Sequence, residues 1–450
     1  MGIEAEKIIK IAEMKGANQA EVFIYSDGEI SASISRGGRI SASSSTSKGV
    51  GIRVIVKGRE GFSYTSKLSS SEVEKTVERA IKIALKSGRK LQSLPEPSST
   101  PGTCKFYCGQ VMQASVDEVF QILKEVFDRA SRYEGFGRIV SCRSEVRWVS
   151  WRVINSLGLD FEFKETHNAI SFSAIAAKNG LAATHYDYMY SRSLIGVEEA
   201  EVKAMETIKM AEKGIPEVSI ESGEYPVILS PTALVTLLNY TLYPVLTAKF
   251  QPRRFKAGEN IGSEKLTIIE DPLNPMIPRS SPADHEGTVR SEKAIIEEGK
   301  LKTLLYDQYY AEIEGRKSTG NGFRTPILTW PRMLKPYQAA PSPEVGSMVI
   351  KAGSRSVDDL ASRIEHGLYV INVIGAHGAD PASGRFSATA SIAFKIEGGS
   401  IGRAVKHAIV GGSLNQLLNI IELSGEGKLV YNTIAPSVLI EKLRIAGERH

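Results

Sequence analysis

The chain has 450 residues, of which 42% are hydrophobic and 24% charged, and it carries a formal net charge of +5. This length and apolar content favour two or more domains, while a weak positive field without a long Lys/Arg block sets nucleic acid aside as the expected partner. Three cysteines are too few for a secreted disulfide framework, no run approaches the roughly 18 apolar residues of a membrane span, and the opening Met1-Gly2-Ile3-Glu4-Ala5-Glu6 has no apolar signal region and lacks the Ser or Thr expected for myristoylation. A cytoplasmic protein without membrane contact is expected.

Ile3 to Lys15 has helical apolar spacing. Ala20 to Ser66 is rich in Val, Ile, Ser and Thr and predicts several short strands, parted at Asp27-Gly28 and Gly37-Gly38. Ser69 to Glu72 is a capping box and Leu68 to Val73 a hydrophobic staple, opening a helix that ends near Gly88. The prolines at 95, 97 and 101 make Leu94 to Gly102 an irregular connection. Ser115 caps a further helix with Glu118. Ile139 to Tyr190 returns to strands, with turns at Asn155 to Gly158 and Asn179-Gly180, before an amphipathic helix over Val197 to Lys213. Gly214-Ile215-Pro216 is the expected domain boundary, dividing the chain into 1–215 and 216–450.

The second half opens with a strand at Tyr225 to Leu229, then Ser230 at a helix N-cap and Pro231 at the first helical position. Ala294 to Tyr306, turning at Glu298-Gly299, and Ala390 to Val410, turning at Gly398-Gly399, read as hairpins of a larger sheet. The expected fold is α+β: a small N-terminal α/β sheet domain, then a mainly antiparallel β-sheet domain with flanking helices.

The motifs that would carry chemistry are incomplete. His285-Glu286 lacks the second histidine of His-Glu-x-x-His, since position 289 is Val289, and Asp284 to Gly287 reads as a solvated loop. His185 and Asp187 could share one face of a strand, as a surface or interface feature rather than a catalytic pair, and His377-Gly378-Ala379-Asp380 has a similarly loose claim. Gly398-Gly399-Ser400-Ile401-Gly402 matches a nucleophile elbow, but the elbow needs a helix after the serine and a strand follows here. Cys104-x-x-x-Cys108 has no second Cys or His pair nearby, so a loop or packing role is expected rather than zinc, with a 104–108 disulfide left open; Cys142 is read as an ordinary thiol. Lys249 to Lys256 interleaves basic and aromatic residues but reads as a solvated loop.

Lys317-Ser318-Thr319-Gly320-Asn321-Gly322-Phe323-Arg324, about ten residues after Leu304-Leu305-Tyr306-Asp307, resembles a signature of the TldD/PmbA family, also called modulators of DNA gyrase. Ala283-Asp284-His285-Glu286-Gly287-Thr288 and Ser383-Gly384-Arg385-Phe386-Ser387 resemble further blocks of that family in the same order, and the N-terminal part through the helix at Ser69 is similar as well.

The resemblance implies a peptidase family in which the TldD-type subunit carries a His-Glu-x-x-x-His helix and a distal cysteine, whereas its TldE or PmbA partner lacks them. Aligning Val227-Ile228-Leu229 and the following helix, 231–248, with that pattern puts Asn239, Tyr240 and Pro244 at the His, Glu and His positions, and no cysteine follows Glu422. An amide is a poor zinc ligand, a phenol with pKa near 10 a poor base, and proline offers no ligand atom. Pro244 should also kink or end the helix near Tyr243, because an interior proline costs about 3 kcal/mol. The chain is therefore expected to have no catalytic residue, metal or cofactor of its own, with zinc held by a TldD-like partner in a heterodimer that cuts unfolded peptide. Ser318, Thr319, Gly320, Asn321, Gly322 and Arg324 are the candidate substrate lining, a structural turn being the other reading. A homodimeric peptide-binding or regulatory protein without proteolysis is the alternative.

Overall fold

The computed structural model describes residues 5–99, 105–325 and 334–447. Cys104, and with it the question of a 104–108 disulfide, lies outside the described residues; Cys108 and Cys142 are free thiols.

Helix α1 (Ala5–Met14) leads into strands β1 (Gln19–Ser35), β2 (Arg39–Val56) and β3 (Arg59–Thr65) and helix α2 (Ser70–Lys86). The short α3 (Gly109–Gln113) and α4 (Val116–Ser131) follow, then β4 (Gly137–Asn155), β5 (Asp160–Lys178), β6 (Leu181–Ser191) and α5 (Val197–Lys213). These six strands form one antiparallel sheet in the order β3-β2-β1-β4-β5-β6. The helix starts are where the caps put them: the Ser69 hydroxyl accepts from the Glu72 N–H at 3.4 Å and the Ser115 hydroxyl from the Glu118 N–H at 3.1 Å.

One expected turn is absent. Asp27-Gly28 lies inside β1, which runs unbroken for 17 residues. Gly28 is needed because the Trp148 side chain of β4 crosses its backbone, and a Cβ there would sit 2.4 Å from the indole nitrogen. Alternation then assigns the faces of the sheet. Ala20 and Val22 of β1 pack with α1 and α2 through Ile8 and Val77, and Ala32 and Ile34 pack with α4 and α5 through Leu123 and Ala204. On the opposite face Phe23 and Tyr25 join Trp151, Phe163 and Tyr337, the last contributed by the second half of the chain.

That half begins with β7 (Gly223–Leu229) and α6 (Pro231–Val245), followed by β8 (Ile268–Glu270), β9 (Lys293–Glu297), β10 (Lys300–Leu301) and α7 (Gln308–Ile313). Then come β11 (Gly322–Phe323), β12 (Ser342–Pro343), β13 (Met348–Ile350), α8 (Val357–Ala361), β14 (His366–Ile374), β15 (Arg385–Glu397), β16 (Ser400–Ala404) and β17 (Ile409–Ser413). The last elements are α9 (Leu414–Leu418), β18 (Ile420–Val430) and β19 (Thr433–Ala446). Apart from β11 and β12, which pair with each other, these strands form a mainly antiparallel eleven-stranded sheet, so the fold is α+β. The proposed division at 215/216 falls between the two large sheets.

Both expected hairpins form, with left-handed backbone at Glu298 and Gly299 and at Gly398 and Gly399. The pairings β7 to β14, β15, β17, β19 and back to β7 close a five-stranded ring. Helix α6 packs against β14, β18 and β19 and is apolar on nearly every side, as a helix enclosed by sheet must be. It ends at Val245 rather than at 248. Pro244 cannot donate to the ladder, so it sits in the final turn, where its carbonyl accepts from the Leu246 and Thr247 N–H groups. Among the described residues no helix is long and apolar enough to cross a membrane.

Candidate functional site

Strand β7, held between β14 and β19, delivers Ser230 to the start of α6. The Ser230 hydroxyl accepts from the Ala233 N–H at 3.2 Å and donates to the Ile371 carbonyl at 2.5 Å, which fixes the entry of the helix. Asn239 is 3% exposed, and its side-chain nitrogen has no acceptor. Tyr240 is half-buried one residue on, and Pro244 closes the helix. Thr236, one turn before Tyr240, lies by Tyr431 in the turn between β18 and β19, close to the Tyr240 phenol. The Tyr431 N–H in turn donates to the Tyr188 hydroxyl of β6 at 2.5 Å, so the N-terminal sheet reaches the turn that lies beside Thr236 and Tyr240 of the helix.

The zinc that the resemblance implies does not fit these residues. An orphaned amide N–H presents a donor where a cation needs a lone pair, and neither the phenol nor the pyrrolidine ring replaces an imidazole. Among the described residues no three His, Cys, Asp or Glu side chains converge as a metal centre would require.

A second polar cluster lies buried where the two halves meet, and it absorbs the 283–288 and 317–324 segments. Arg53 of β2 bonds Glu286 at 2.6 Å and also pairs with Glu21 of β1. Arg324 pairs with Glu21 from the other side and donates to the Ala339 carbonyl at 2.9 Å. The loop at Asp284 to Gly287 is thus an interior element rather than the solvated loop its polarity suggested, because each charge in it meets a partner from elsewhere. Asp284 accepts from the Gly322 N–H at 2.8 Å and Glu286 from the Gln308 N–H at 2.8 Å. Burial and the nearby Glu286 raise the Asp284 carboxyl well above its ordinary range, and burial together with Arg279 and Arg324 lowers His285.

The candidate lining follows this pattern. Asn321 donates to Glu270 at 2.9 Å and is fully buried, as are Gly320 and Gly322, and Arg324 is 2% exposed. Ser318 and Thr319 keep partial exposure while bonding to Tyr306, the hydroxyl of Ser318 donating to its carbonyl at 3.2 Å and that of Thr319 accepting from its N–H at 2.7 Å. Gly322 has to be glycine because a Cβ would lie 2.2 Å from a Glu286 carboxylate oxygen. The geometry therefore gives most of this run a role in the packing of the second half, and Arg324 carries the bond across to Glu21 of the first.

Asp307 belongs to the same cluster and caps α7, accepting from the Tyr310 N–H at 2.8 Å. Burial and Glu286 push its carboxyl up to about 7. A folded-state value above the unfolded one contributes stability that is full below about pH 4 and is lost as pH rises through about 7. Asp307→Asn keeps the cap and removes the titration. The wild type should lose about 2–3 kcal/mol relative to this variant between pH 5 and pH 8, read from denaturant midpoints. Parallel pH profiles for the two proteins would contradict the assignment.

The other sequence candidates disperse. His185 and Asp187 point from β6 toward the second half, His185 lying 3.3 Å from the Asn372 amide and Asp187 2.8 Å from Lys428, and burial lowers His185 to about 4. Ser400 starts β16 and no helix follows it. The basic run after α6 is tied into the chain: Lys249 pairs with Glu344, Arg253 with Glu314, and Phe255 is in the core. Arg53 and Glu21 were not singled out from sequence, although an arginine inside Val50 to Val56 is a visible interruption of an apolar strand.

The fold defines a class: an α+β chain of two large sheets, the second packed around an apolar helix. Residues 222–447 match the PmbA/TldA metallopeptidase C-terminal domain, and residues 20–84 match domain 1 of the same family. The chain belongs to the PmbA/TldD family. It is 28% identical over 448 residues to an uncharacterized protein of Methanocaldococcus jannaschii, covering 98% of this chain and 99% of that one. Among solved structures it is similar to TldE from Thermococcus kodakarensis (TM-score 0.86, 28% identity, 98% of this chain and 99% of that chain). It is also similar to a candidate modulator of a DNA gyrase from Thermotoga maritima (TM-score 0.85, 26% identity, with the same coverage).

Proposed function

We propose that this chain is the non-catalytic, TldE/PmbA-like subunit of a zinc metallopeptidase complex that processes unfolded peptides. The observation that carries the reading is the set of side chains on α6: Asn239, Tyr240 and Pro244 stand where the family pattern needs His, Glu and His. The subunit walls a chamber and the chemistry comes from a TldD-type partner that holds the zinc. Ser318 and Thr319, the half-exposed members of the signature, are the part of that run that can still meet substrate.

The test is reconstitution. The purified chain should hold far less than one zinc per chain and leave an unfolded peptide intact. Mixing it with a His-Glu-x-x-x-His paralogue should produce cleavage that neither protein shows alone. Stoichiometric zinc together with cleavage by the isolated chain would overturn the proposal. A stable homodimer that binds peptide and gains nothing from the paralogue would favour a regulatory protein instead.

A further inference from the structure

Strand β2 is asymmetric in a way that its role in the sheet does not require. β1 pairs with it from Arg39 to Ile55 without a register shift, but β3 pairs only with Val50 to Val56. From Arg39 to Lys48 the outer edge has no neighbouring strand among the described residues. Arg39 to Thr46 and Lys48 are exposed and Ser47 is half-buried. Ten residues of strand therefore turn a row of backbone N–H and C=O groups outward over about 30 Å.

Folded proteins guard such edges with proline, bulges or charges set within the strand. Ile40-Ser41-Ala42-Ser43-Ser44-Ser45-Thr46-Ser47 has none of these. Mostly short side chains on both faces leave the backbone groups open to a neighbour. The charges sit only at the two ends, Arg39 and Lys48, and neither has a carboxylate partner among the described residues. Those ends also select the occupant. Two copies of this edge pairing antiparallel in full overlap would set Arg39 against Lys48 at both ends, and like charges directly opposite each other oppose pairing.

We propose that the outer edge of β2 from Arg39 to Lys48 is a docking site for one extended segment of a partner polypeptide, about eight uncharged residues flanked by carboxylates. The segment adds to the N-terminal sheet as a seventh strand. Its backbone meets that of Ile40 to Ser47, and its acidic ends meet Arg39 and Lys48. The site is distant in sequence from α6 and does not depend on whether the chain works in a peptidase.

The probe is a labelled synthetic peptide, Asp-Val-Ser-Thr-Ser-Val-Ser-Thr-Val-Glu, followed by fluorescence anisotropy and by hydrogen exchange of the full chain. Binding should slow amide exchange within 39–48. Arg39→Glu with Lys48→Glu should weaken binding about tenfold, because two exposed ion pairs become repulsions, and a lysine-flanked version of the peptide should recover it. Exchange within 39–48 that stays unchanged at saturating peptide overturns the proposal, as does an affinity insensitive to the double substitution. Concentration-dependent protection of 39–48 without peptide, accompanied by a doubled mass, would identify a second copy as the occupant and also overturn it.

Discussion

Replacing Arg53 by methionine is expected to cost about 3–5 kcal/mol of unfolding free energy, the range for removing one partner of a buried ion pair. Arg53 is fully buried and ties Glu21 of its own sheet to Glu286 of the other half. Methionine fills the volume but leaves Glu286 without its arginine while Glu21 keeps only Arg324, so the loss comes from stranded charge rather than from a cavity. The denaturant midpoint of the variant measures it. Adding Glu286→Gln should return part of the loss, since the second charge is then gone as well. A loss below about 1 kcal/mol would mean that solvent enters the cluster and screens it.

Gly322→Ala should be destabilising by about 2–4 kcal/mol, a large effect for one methyl group, because overpacking and a broken ion pair act together. The methyl group would occupy the place of the Glu286 carboxylate, which cannot swing aside without leaving Arg53 and the Gln308 N–H. The two substitutions attack one bond, so Gly322→Ala combined with Arg53→Met should cost clearly less than the sum of the singles. Additive losses in that double-mutant cycle would show that the glycine serves something other than the ion pair. The family signature around residues 318–324 would then need a different physical reason.

Helices and hairpins were largely legible from local chemistry. Ser69, Ser115 and Ser230 cap the helices they were expected to cap, and Asn179-Gly180, Glu298-Gly299 and Gly398-Gly399 turn where they were expected to turn. Asp27-Gly28 misled because a glycine in a strand has the same letter whether it makes a turn or clears space for an indole from the next strand. The Asp284 to Gly287 segment misled for a related reason. Charged residues beside glycine read as solvated unless their partners are known, and those partners are Arg53 and Gln308, one of them more than two hundred positions away.

The residue types on α6 belong to the sequence: Asn239, Tyr240 and Pro244 carry no imidazole and no carboxylate however the chain folds. The enclosing ring of β7, β14, β15, β17 and β19 could not be read there, because its closure depends on a register between strands more than two hundred residues apart. The same holds for the role of the 318–324 signature. Its residue types left a substrate lining and a structural turn both open, and it is packing against Glu21, Glu270 and Glu286 that makes most of it interior. Local patterns encode local structure because caps and turns are settled within a few residues. Burial of charge is settled by the cation that arrives from another part of the chain.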